Sequence, residues 1–124
     1  MRPSNPLTPE QRFVRDKARA MSEKQFQAVV VASAGRHGWL VYHTYDSRRS
    51  APGYPDLHLV HVNAGLSVFR ELKTETGRLS PDQRTWLEAI TATGGDAAVW
   101  RPMDWFTGHI GDFLAAPNRE RHHL

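Results

Sequence analysis

The spacing of apolar residues along the chain changes period several times, and each change marks an element. After a Pro-rich lead from Met1 to Pro9, Thr8 can cap and Pro9 can open a short polar helix through about Ala20. From Ser22 the pattern becomes that of a core helix, with Phe26, Val29, Val30 and Ser33 on one face until Gly35. Gln25, three residues after Ser22, completes a capping-box pattern at its start. Trp39 to Tyr45 (WLVYHTY) is β-rich and predicts a strand, followed by a loop from Asp46 to Gly53. Asp56 to Val62 and Leu66 to Lys73 predict two more strands, joined through the Asn63-Ala64-Gly65 turn.

Thr74 to Leu79 reads as a polar loop. Ser80-Pro81-Asp82 then places a cap and a first-turn proline at a helix start, Trp86, Leu87 and Ile90 supply its apolar stripe, and Gly94-Gly95 ends it. Ala97 to Arg101 predicts a last strand that Pro102 breaks, and Trp105 to Ala115 a closing helix. The polar tail from Pro117 to Leu124 predicts disorder. Strands and helices alternating in this order imply an α/β fold, a mixed β-sheet flanked by helices. The helix between the third and fourth strands predicts a right-handed crossover that sets those strands parallel.

A length of 124 residues suits one domain with one core, and no internal repeat divides it. Sixteen basic against thirteen acidic residues give a net charge of +3, a mild bias toward a polyanionic partner. Without cysteine, disulfides and cysteine-based zinc sites are excluded. No run approaches the roughly 18 apolar residues of a membrane span, and the N-terminus lacks an apolar signal core, so the expected setting is intracellular and cytoplasmic.

The chemistry concentrates between Gly53 and Lys73. Gly53-Tyr54-Pro55-Asp56 opens one strand, and after fourteen further residues Glu71-Leu72-Lys73 closes the next. Hard divalent cations want carboxylate oxygens converging from separate backbone segments, and a hairpin brings Asp56 and Glu71 together. Alternation along the strand points Glu71 and Lys73 one way and Leu72 the other. Glu71 can then hold a metal while Lys73 orients an attacking water and offsets charge on a phosphate. An exposed hairpin with solvated charges is the plain alternative. Against it, Asp56 shares its face with His58, Val60 and Val62, and Glu71 shares its own with Phe69, as in a cleft.

The series Ser22-Glu23-Lys24-Gln25-Phe26-Gln27, Gly38-Trp39, Gly53-Tyr54-Pro55-Asp56-Leu57, Glu71-Leu72-Lys73-Thr74, Gly77-Arg78-Leu79-Ser80-Pro81-Asp82-Gln83 and Gly94-Gly95 resembles, in order, the VRR-NUC (virus-type replication-repair nuclease) domain of the PD-(D/E)xK superfamily. The resemblance covers about Met21 to Trp105. It divides the chain into an N-terminal extension (1–20), a nuclease domain (21–116) and a tail (117–124).

The resemblance implies a restriction-endonuclease-like core and Mg²⁺- or Mn²⁺-dependent hydrolysis of DNA phosphodiesters. Asp56 and Glu71 become metal ligands and Lys73 the catalytic lysine, and the Leu72 carbonyl completes the coordination. Glu23 matches the family's acidic residue on the first core helix, and Gln83 the glutamine that opens the later one. Glu23 is equally accounted for by the favourable interaction of an acid with a helix N-terminus, and Gln83 by ordinary polarity there. Arg48 and Arg49 in the loop before Asp56, with Arg78 and Arg84 beside the later helix, are candidates for DNA phosphates or for solvated charge. His58 reads as a packed histidine.

A homodimer that cuts branched or junction DNA in replication, repair or recombination is the expected assembly, with Trp100, Trp105, Phe106 and Phe113 as candidate interface residues that core packing explains at least as well. A catalytically silent DNA-binding module and an RNA-directed nuclease stay open as alternatives.

Overall fold

A computed structural model describes residues 5–44 and 51–121 of the chain. Three of its helices begin with the same device, a hydroxyl at the cap and a glutamine three residues on. Thr8 and Gln11 open α1 (Pro9–Ala20), Ser22 and Gln25 open α2 (Glu23–Arg36), and Ser80 and Gln83 open α3 (Pro81–Ala92). In each, the hydroxyl accepts from the glutamine's N–H at 3.1 Å while the glutamine's side-chain oxygen accepts from the cap residue's N–H at 2.8–3.0 Å. Each reciprocal pair satisfies two otherwise orphaned donors, worth about 1 kcal/mol per helix.

Four strands form one sheet in the order β1 (Leu40–His43), β2 (Leu57–His61), β3 (Leu66–Leu72) and β4 (Asp96–Trp100). β1–β2 and β2–β3 are antiparallel hairpin neighbours. β3 and β4 are parallel, as the intervening α3 requires. The sheet is therefore mixed, and helices flank it. Its register places Leu57 and Leu59 of β2 and Val68 and Leu72 of β3 on one buried face with Trp39 and Trp100. Phe26, Val30 and Ala34 of α2 and Ile110 and Leu114 of the last helix pack against them. The opposite face carries Phe69 and Glu71, with Trp86 of α3 reaching it through Tyr54.

The C-terminal region departs from expectation. Pro102 starts a helix rather than only ending a strand: α4 (Pro102–Phe106) holds it at the first position, where its missing N–H costs nothing. Gly108, at φ 85°, turns the chain into α5 (His109–Arg121). The expected disorder from Pro117 is thus replaced by helix as far as Arg121. Pro117 is buried and Asn118 donates to the His37 carbonyl at 3.2 Å, where the buried His61 ring also bonds. Those two donors satisfy the end of α2, so one tie fixes both helices.

Of the four aromatics open to either an interface or a core reading, three take the core one. Trp100 is 3% exposed, Phe113 stacks on Trp39 at 5.8 Å, and Trp105 packs against the core. Phe106 is half-buried in a groove with Leu7 and Val14. Trp100, Trp105 and Phe113 thus serve the core.

Candidate active site

Arg70 and Glu71 are neighbours on β3, and alternation sends them to opposite faces; both are nonetheless buried. Arg70 enters the core, where its guanidinium lies 4.9 Å from the Trp100 ring centre and 5.0 Å from that of Phe113. It pairs with Asp96 at 2.8 Å and donates to the Phe69 carbonyl at 2.8 Å. A charge buried there is tolerable because aromatic faces, a carboxylate and carbonyls surround it. Arg70 shares the parity of Val68 and Leu72, and that parity is the one sequence signal of its burial.

Glu71, 2% exposed, faces the other way and meets Asp56 within hydrogen-bonding reach. Asp56 precedes β2 and is oriented by the Leu72 N–H, which donates to its Oδ2 at 2.8 Å. Burial pushes the Glu71 carboxyl up to about 9, a hydrogen bond to Asp56 and the Asp56 charge push the same way, and the Lys73 ammonium opposes them. Glu23 adds a further like charge. Lys73 is half-buried, its own N–H donating to the Trp100 carbonyl at 3.1 Å.

The end of α3 meets the carboxylates from above the sheet. The Gln83 amide, whose oxygen closes the capping box, donates to Glu71 Oε1 at 3.4 Å. This contact is possible because Gly53 lies hard against the backbone of Asp82 and Gln83. A Cβ at Gly53 would stand inside contact distance of the Asp82 carbonyl and 2.6 Å from the Gln83 nitrogen, and the residue has φ 84°. The glycine of Gly53-Tyr54-Pro55-Asp56 therefore locks the Asp56 segment to the helix that carries Gln83.

A second clamp holds the turn after Lys73. Arg101 donates to the Thr74 and Gly77 carbonyls at 2.7 Å each, and Glu75 accepts from the Met103 N–H at 2.9 Å. Neither residue was singled out by its spacing, since the contacts join positions far apart in sequence.

The expected set is therefore brought together in part. Asp56, Glu71, Lys73 and Gln83 converge, whereas Glu23 stays exposed in the first turn of α2 and acts on Glu71 through its charge. Among the described residues no group of three or more His, Asp or Glu is placed to hold a metal, so the set of three carboxylates is not assembled. Arg78 and Arg84 are exposed on either side of the capped start of α3, and Arg48 and Arg49 lie outside the described residues. His58 is packed, stacked on Phe69 at 4.3 Å with a 2.7 Å bond to Ser67.

The donor set fits a divalent cation. Among the described residues the buried Glu71 Oε2 has no hydrogen-bond partner, which is costly for an isolated carboxylate and would be relieved by a cation. Small hard cations are held by one or two carboxylates together with waters and substrate oxygens, a requirement that a pair such as Asp56 and Glu71 could meet.

A four-stranded mixed sheet flanked by helices is consistent with an α/β nuclease core. Residues 5–104 match the family model of the VRR-NUC domain, and the chain belongs to that family, whose fold is that of the PD-(D/E)xK nucleases. The match begins in front of α1, earlier than the motifs alone indicated. A search of curated proteins gives no significant match, and neither does a search of solved structures. Membership implies a nuclease-type function on DNA, and domains of this type generally use divalent metals. No described helix is long and apolar enough to cross a membrane.

Proposed function

We propose that this protein is a Mg²⁺- or Mn²⁺-dependent endonuclease that hydrolyses DNA phosphodiesters and prefers branched or junction DNA over linear duplex. The observation that supports this best is the unpartnered, buried Glu71 Oε2 beside Asp56. Asp56 and Glu71 would hold the cation, with the Leu72 carbonyl and a water toward Glu23 completing its surroundings. When bound, the cation supplies Lewis-acid stabilisation of a phosphate oxygen and lowers the pKa of water.

The chain's own groups do the rest. The Leu72 N–H and Gln83 amide keep the two carboxylates oriented. Lys73 positions the attacking water and offsets the negative charge that builds on the phosphate. Attack in line with the leaving oxygen breaks the bond from phosphorus to O3′ and gives a 3′ hydroxyl and a 5′ phosphate. Arg78 and Arg84, with Arg48 and Arg49, would contact phosphates, which gives affinity without base preference.

Cutting both strands of a branch symmetrically needs two sites, which a homodimer supplies through one isologous interface. Trp100, Trp105 and Phe113 pack in or against the core, which leaves Phe106, half-buried in its groove, as the C-terminal aromatic available to such an interface.

The test is a cleavage panel of linear duplex, four-way junction, flapped DNA and RNA, run with Mg²⁺, Mn²⁺, Ca²⁺ or EDTA, alongside light scattering. Cutting with Mg²⁺ or Mn²⁺ but scarcely with Ca²⁺, favouring branched DNA, and a dimer mass are the expected results. Full activity in EDTA overturns the metal assignment. Equal cutting of linear and branched DNA by a monomer overturns the rest, and preferential cutting of RNA moves the reading to the RNA-directed class.

A further inference from the structure

Lys73 is the first residue past β3, where the sheet stops fixing the chain. Its N–H still reaches the Trp100 carbonyl at 3.1 Å, and the residue after Trp100, Arg101, takes over from there. Arg101 Nη1 donates to the Thr74 carbonyl and to the Gly77 carbonyl at 2.7 Å each, which uses both of its protons. The Gly77 N–H closes the turn onto the same Thr74 carbonyl at 3.2 Å. In return Glu75 accepts from the Met103 N–H at 2.9 Å, so the turn and the junction of β4 with α4 grip each other.

We infer that Arg101 is a positioning residue for Lys73: by clamping the Thr74–Gly77 turn it holds the wall against which the lysine's stem lies, and so aims the ammonium at the carboxylate site. This rests on the reading of Lys73 as the lysine of a nuclease centre.

The turn touches the stem directly. A Cβ at Gly77 would stand 3.6 Å from Lys73 Cδ and 2.8 Å from the Thr74 hydroxyl oxygen, so a side chain there would displace that hydroxyl or lift the turn off the lysine. A lysine carries its charge on a flexible four-carbon stem, which must be restrained if the ammonium is to meet a water at one place. The half-buried Lys73 gets that restraint from a turn with no strand partner, and the turn gets it from Arg101. Both acceptors are main-chain carbonyls, so the clamp depends on the planar geometry of a guanidinium more than on its charge.

The test follows Lys73 itself as well as cleavage. The chain has three lysines, Lys17, Lys24 and Lys73, so isotopic labelling of lysine gives one ε-methylene signal for each. In EDTA and without DNA, the Lys73 signal, identified by its absence from Lys73→Ala, should stand apart from those of the exposed Lys17 and Lys24. Arg101→Met keeps the stem, discards the donors and should move the signal toward the other two. Arg101→Lys, which keeps the charge without the fork, should move it part of the way, and Gly77→Ala should move it with Arg101 intact. In Mg²⁺, Arg101→Met should lower kcat about tenfold with KM within about twofold of wild type, and should cost nothing further in a Lys73→Ala background. Gly65→Ala, a destabilising change in a remote turn, should leave the signal where it is.

An unmoved signal in folded Arg101→Met protein, or the same tenfold loss with and without Lys73, would overturn the positioning role. If Arg101→Met does not fold, Arg101→Lys and Gly77→Ala decide the matter by the same readouts. A signal that moves in a protein that cuts nothing with any metal would sink the nuclease reading and leave Arg101 as the residue that fixes Lys73. Normal cleavage by a variant whose signal has moved would sink the positioning role alone.

Discussion

On the proposed reading Glu71 must be both a buried side chain and an ionised ligand, while its surroundings favour the neutral form. The Lys73 ammonium pulls the other way, which ties the lysine's role to the carboxylates it faces. Asp56→Ala, Glu71→Ala and Lys73→Ala should each lower the cleavage rate by on the order of a thousandfold, and the double variants should lose little more, because groups that act as one unit are not additive. Single-turnover rates on a junction substrate, with circular dichroism to confirm folding, check this. A folded Glu71→Ala protein that cuts normally would remove Glu71 from the mechanism. Gln83→Ala removes both the contact to Glu71 and half of a capping box, so it should cost activity and about 1 kcal/mol of stability together.

Among elements, the arrangement of the site depends on how closely the loop before β2 meets the start of α3. Gly53→Ala introduces a Cβ where the Asp82 and Gln83 backbone already stands, at a left-handed φ that alanine adopts poorly. We expect it to lower the melting temperature and to cut activity at least tenfold by displacing Gln83 and Asp56. Gly65→Ala, in a hairpin turn with a similar φ and open space around it, should cost stability with activity largely kept. Equal losses in the two variants would show that backbone conformation matters there and the close approach does not.

Most of this architecture was legible in the sequence because it is local. Cap residues, turn glycines and alternation fix where helices and strands begin and which way Glu71 and Lys73 point. What escaped is non-local. Arg70 sits in the core because Trp100, Phe113 and Asp96 arrive from other elements, and the end of α5 is ordered because Asn118 finds the His37 carbonyl. The polarity of the segment after Pro117 gave no sign of that tie. Glu23 illustrates the reverse case: a motif match identified it, yet its placement in α2 leaves it outside the carboxylate pair.

For the whole molecule, the Asp56–Glu71 pair couples stability to pH and metal. A solvated Glu71 in the unfolded chain releases its proton near 4.5, whereas the folded protein holds it until about 9. Between those values the folded state binds more protons than the unfolded one, so stability falls as pH rises, by at most about 1.4 kcal/mol per unit for one group. The direction is opposite to that of a carboxylate held in a salt bridge. A divalent cation would bind the ionised pair, so it should displace the Glu71 proton and recover the lost stability, raising the melting temperature more at pH 8 than at pH 5.5. Glu71→Gln keeps the shape, discards the titration and should flatten both dependences while abolishing cleavage. Urea denaturation of both proteins from about pH 5 to 9, with Mg²⁺ or with EDTA, measures each term. If wild-type stability in EDTA were level across that range, or if Glu71→Gln kept the wild-type slope and metal response, the proton and the cation would have to be sought at another site.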